Sequence, residues 1–184
     1  VKGCLKVHFF IEMQMTVSGY SRQRVLLHWI SAAIILWTLA SGFYVSVVNV
    51  SVPVKQSVAF INVSLTTVFI PFFIWRVCIF VYHTLHARKV AASTGQRLVG
   101  LAHVLIYLAV SIVLVTGVLM MDRPINVFGL VEIPQPLGNS FLIAQFTTVH
   151  AWASGVLSAL IALHVGAVIV HEICGRRVLR RMSL

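Results

Sequence analysis

Polar and apolar positions fall along this chain in long blocks. Four apolar blocks, Val25–Val48, Ser57–Tyr82, Leu98–Met121 and Phe146–Ile173, are each at least as long as the roughly 20 residues that a helix needs to cross a ~30 Å hydrocarbon core. Lipid offers no partner to a bare N–H or C=O, so a crossing segment has to satisfy its own backbone, as a helix does and a lone strand does not. The expected fold class is therefore all-α, an integral membrane four-helix bundle.

The polar intervals predict how the crossings are joined. Ser21 is the expected N-cap of the first helix, Pro53 marks the short turn after it, and Pro71 should kink the second helix by removing a backbone donor. The interval His83–Arg97 is basic and broken by Gly95. The longest connection, Asp122–Gln145, is punctuated by Pro124, Pro134 and Pro136; its Phe128, Leu130 and Val131 predict a segment lying along the membrane surface. Residues 1–19 read as a mobile extension, or as sequence upstream of a natural start near Met15, because the apolar run Val7–Ile11 is too short for a signal-peptide core. The bundle domain is expected over residues 20–184.

Composition agrees with a lipid environment: 59% of residues are hydrophobic and 10% charged. The net charge of +10 in a soluble protein would suggest nucleic acid. Here Lys2, Lys6, Arg22 and Arg24 precede the first helix, Arg88, Lys89 and Arg97 lie between the second and third, and Arg176, Arg177, Arg180 and Arg181 follow the fourth, against Lys55 and Arg123 on the opposite side. That asymmetry predicts a cytoplasmic location for both termini and the middle loop. It makes anionic membrane lipid, not nucleic acid, the expected partner of the basic residues. Cys4, Cys78 and Cys174 form no CxxC pair and are assigned no role.

An ionisable side chain inside an apolar span is costly and needs a reason. The candidates are His28, Arg76, His103, His150, His164 and His171. Glu172 is the one carboxylate near a helix end, so paired-carboxylate chemistry has no visible machinery. On the fourth helix the step from His150 to His164 returns to within ~40° of the same face about 21 Å further along, and the step to His171 stays on that stripe. A lone histidine is more often a packing residue than a ligand, but three on one stripe in lipid favour a metal or haem. Zinc or copper would need ligands gathered in one sphere, so two stacked sites between facing helices suit the spacing better. His28 is the natural counterpart for the inner site, and depth counting leaves His164 and His171 both open as its partner. On the second helix Arg76 would face the inner site, to pair with propionates or to snorkel, and Asn62 would face the outer one opposite His150. Ala32, Ala33, Gly42, Gly155 and Gly166 leave room for flat cofactors or for close helix packing.

These residues resemble the bacterial cytochrome b561 family of di-haem four-helix membrane proteins, from about Tyr20 to the C-terminus. The resemblance rests on Tyr20-Ser21-Arg22 leading to His28-Trp29, on Gly100-Leu101-Ala102-His103 with Ile106-Tyr107-Leu108, on Pro124-Ile125-Asn126-Val127-Phe128-Gly129 running on to Ile133-Pro134, and on the His150/His164/His171 spacing. It implies a bacterial inner-membrane location and haem b ligated by His28 and His164. It also implies a second haem on His150 and a helix 2 histidine, but Asn62 stands at that position. The second haem is then absent, five-coordinate on His150, or ligated in another way. His103 and His171 become candidate propionate or quinone contacts, or packing residues. The implied activity is one-electron transfer between a donor and the quinone pool, of which superoxide oxidation by ubiquinone is one form. Two alternatives stand beside it: a haem-bearing anchor for a redox partner or respiratory complex, and a degenerate cytochrome with a structural role.

Overall fold

The computed structural model describes residues 22–86, 94–175 and 179–182. Four long helices, α1 (Arg22–Val47), α2 (Val52–His86), α3 (Thr94–Leu119) and α4 (Ser140–Ile173), are joined on one side by a two-stranded hairpin, β1 (Ile125–Val127) and β2 (Val131–Ile133). All four are long and apolar enough to cross a membrane. The expected Ser21 cap and residues 1–19 lie outside the described residues.

The helices overrun the apolar blocks at several ends, because a hydrogen-bonded helix does not stop where hydropathy does. α2 begins at Val52 with Pro53 in its first turn, where a proline's missing N–H costs nothing. It continues unbroken through Pro71 to His86. α3 starts at Thr94, so Gly95 is part of a helix and not a break. α4 starts at Ser140, well before the expected Phe146, because the Asn139 carboxamide accepts from the free N–H groups of Phe141 (2.9 Å) and Leu142 (3.3 Å).

The buried core is small: Phe69 and Phe73 of α2, Ala109 and Val110 of α3 and Leu157 of α4, flanked by Ile34, Ile35 and Leu39 of α1. Most large apolar side chains instead face outward, among them Trp37, Phe72, Trp75, Trp152 and Leu163, as lipid-facing helices require. Hydroxyls within the spans return to the carbonyl four residues earlier, for example Thr67 to Val63 (2.8 Å) and Ser158 to Ser154 (2.9 Å). Helix α1 lies along α2 and α3 along α4, whereas α2 and α3 share a shorter contact; among the described residues α1 and α4 form no extended backbone contact.

The long connection is more ordered than a surface-lying loop. Asn126 pairs with Glu132 in the antiparallel hairpin, and Phe128 (φ 51°) and Gly129 (φ 72°) turn it in the left-handed region. Fully buried Ser64 of α2 donates to Asn126 O (3.2 Å) and accepts from Phe128 N (3.0 Å), while Phe60 meets Phe128 edge-on. The hairpin is thus clipped to α2, with Leu130 and Val131 exposed.

Candidate functional site

The ionisable side chains gather at the end of the bundle where α1 begins and α4 ends. α1 brings His28 there, α2 Arg76, α3 His103 and Tyr107, and α4 His164. Arg76 Nη2 lies 2.9 Å from His28 Nδ1. A guanidinium is always protonated and can only donate, so in this contact Nδ1 is the acceptor. From the same side chain Nε–H donates to the Tyr107 hydroxyl at 3.1 Å, with the guanidinium carbon 5.4 Å from that ring's centre. The Tyr107 ring packs against Phe80 at 4.6 Å. An arginine that sequence alone leaves between snorkelling and binding is therefore tied inward on two sides.

His103 Nδ1 donates to the Val99 carbonyl (2.7 Å), and its ring stands edge-on to His164, centroids 5.3 Å apart. A cavity of about 130 Å³ opens among these groups, lined by Arg24, His28, Arg76, His103, Tyr107 and Met182, with Leu27, Ile79 and Phe80 as its apolar walls. Met182 belongs to the short 3₁₀ turn Leu179–Met182, whose Met182 carbonyl accepts from Trp29 Nε1 (2.9 Å) and whose Leu179 N–H donates to Glu172 Oε2 (3.1 Å). His171 is half-buried near the C-terminal end of α4 and does not line this cavity.

His150 stands apart, toward the hairpin end. Its Nδ1 lies 3.1 Å from Val113 O and 3.2 Å from Thr116 Oγ1 on α3, and its ring sits against Gly117, where an added Cβ would come within 3.2 Å of Cε1. Asn62, expected to look across at His150, turns to α1: its Oδ1 accepts from Ser41 Oγ (3.0 Å) and its Nδ2 donates to Thr38 O (3.4 Å). A half-buried carboxamide in an apolar span takes the partners within reach, here a hydroxyl and a carbonyl of α1. An added Cβ at Gly42, Gly155 or Gly166 would meet no neighbouring atom, so close helix approach is not what those glycines serve.

Among the described residues no three His, Cys, Asp or Glu side chains are gathered to hold a bare metal ion. A haem asks for something else: two imidazoles from facing helices, an opening between them and a cation for its carboxylates. Of the side chains that could supply these, His28 and Arg76 line the cavity, whereas His164, like His171, does not line it and meets the cavity's His103 edge-on.

Sequence reasoning missed Tyr107 as Arg76's hydrogen-bond acceptor, and Gly117 as the seat of His150. A tyrosine or a glycine in an apolar span carries no signal of its own, although a tyrosine hydroxyl buried in lipid always needs a partner.

Comparison with protein families matches the model described as prokaryotic cytochrome b561 to residues 19–183. Comparison with curated proteins finds no match.

Proposed function

The chain belongs to the prokaryotic cytochrome b561 family, and we propose that it carries single electrons between a donor and the quinone pool on haem b held between His28 and His164. Family membership and the four spans make it a multi-pass inner-membrane protein with a haem-mediated electron-transfer role. The observation that carries the finer reading is the gathering of His28, Arg76 and His103 around one cavity, with the His164 ring against His103. The positive-inside asymmetry supports a cytoplasmic location for this end of the bundle.

When bound, haem supplies a reversible one-electron Fe(III)/Fe(II) couple, whose potential the protein sets through ligands, nearby charge and burial. His28 and His164 would hold it. A neutral His28 that offers Nε2 keeps its proton on Nδ1, the atom that faces Arg76 Nη2 at 2.9 Å. Two donors cannot share that contact, so the guanidinium releases Nδ1 and is available to an anionic group, still held through Nε by Tyr107. His103, its Nδ1–H spent on Val99 O, presents Nε2 as an acceptor, suited to a proton-bearing group such as a quinol hydroxyl. Met182, on the turn tied to Trp29, is part of the cavity's lining.

The test is anaerobic mixing of the purified oxidised protein with a ubiquinol analogue. The reduced haem band should appear with the wild type and be lost in His28→Ala. A wild-type haem that stays ferric under excess quinol would exclude the quinone pool as partner and favour a donor-specific anchor.

A further inference from the structure

At the hairpin end of the bundle the residues present do not fit a second haem. The family pattern places its ligands at His150 and at the position held by Asn62. An asparagine carboxamide is no ligand for haem iron, so His150, whose Nδ1 contacts leave Nε2 free, has no second imidazole at that position. The Asn62 carboxamide uses its oxygen on Ser41 Oγ (3.0 Å) and its nitrogen on Thr38 O (3.4 Å), which joins α2 to α1. His150 does the equivalent for α4 and α3. The Thr116 hydroxyl already donates to Ile112 O at 2.6 Å, so Nδ1 must carry the proton in the contacts to Thr116 Oγ1 and Val113 O. Gly117 lets the ring lie that close.

The space between the two ends offers no ligand: the void there, about 30 Å³, is walled by Ile34, Leu39, Phe69, Val110 and Leu157 among others, with no His, Met or Cys in its lining.

We propose, on the reading that haem lies between His28 and His164, that this is the protein's one haem and that Asn62 and His150 are interhelical clamps. Each clamp satisfies polar groups in a medium without water and holds one helix pair, α1 to α2 and α3 to α4. The functional consequence is one-sidedness. His150 lies about 21 Å along α4 from His164, and that half of the bundle carries no relay, so electrons arrive and leave at the His28 end. A protein built this way exchanges electrons between a donor and a quinone on the same side of the membrane.

The experiment is a haem count by pyridine haemochrome on the purified full-length holoprotein, paired with thermal melting in detergent, for wild type, His150→Asn, His150→Ala and Asn62→Ala. Asparagine at 150 keeps an N–H where Nδ1–H was but is no ligand for haem iron. The expected result is one haem per chain in the wild type and in His150→Asn, with the same reduced spectrum. His150→Ala and Asn62→Ala should each melt several degrees lower. Two haems in the wild type, or a haem content halved by His150→Asn, would overturn the proposal, as would unshifted melting in both alanine variants. A wild type with no haem at all would sink the electron-transfer reading instead, while the melting comparison would still decide the clamps.

Discussion

Arg76 is held from two sides by groups on two other helices: His28 on α1 and Tyr107 on α3. Its charge is the part of the site most legible in sequence, because an arginine in an apolar span always needs an explanation. The hydroxyl that holds it is not legible, since tyrosine is common in such spans for reasons of packing alone. With a ~8 Å separation and an effective dielectric of ~20, one unit charge changes the energy of a neighbouring charge by about 2 kcal/mol. Arg76→Gln should therefore lower the midpoint potential of the haem, because a nearby cation disfavours the more positive ferric state. Tyr107→Phe keeps the ring against Phe80 and removes the hydroxyl, and should lower the potential in the same direction by less. The double variant should match Arg76→Gln alone in a redox titration. Fully additive shifts would mean that Tyr107 acts on the haem independently of Arg76. Asn62 teaches the same lesson from the other side: its residue type is visible in sequence, but its choice of Ser41 and Thr38 depends on how closely α1 and α2 approach.

At the scale of elements, hydropathy locates the spans and misplaces their ends. It reports what lipid tolerates, whereas a helix ends where its hydrogen bonds do, as the Asn139 cap shows by starting α4 at Ser140. The hairpin was equally hidden, because three-residue strands leave almost no periodic trace and their anchor is remote in sequence. Ser64 is that anchor, fully buried and bonded to Asn126 O and Phe128 N. Ser64→Ala should leave both backbone groups unsatisfied against α2 at a cost of about 1–3 kcal/mol. Hydrogen exchange should show faster exchange over 125–133 with the spans unaffected; unchanged protection there would mean that Phe60 and Phe128 hold the hairpin alone. In the same connection Arg123 pairs with Asp122 at 2.9 Å and holds that carboxyl below the ordinary carboxylate range.

The whole molecule is two tightly packed helix pairs with a looser seam between α1 and α4. Four apolar blocks made the four-helix membrane bundle legible in sequence, and the family match over residues 19–183 agrees with it; the pairing of the helices left no trace there. Depth counting left His164 and His171 equivalent because linear sequence gives only height along a helix. Neither lines the cavity; His164 meets His103, which lines it with His28, and that contact supports the proposal of His164 as the partner. The most direct measurement is the haem content and reduced absorption spectrum of three single variants, His28→Ala, His164→Ala and His171→Ala, purified alongside the wild type. The account predicts that the first two lose the firmly bound low-spin haem and the third keeps it. A His28→Ala protein that retains the wild-type low-spin spectrum, or a His171→Ala protein that loses it, would contradict the account.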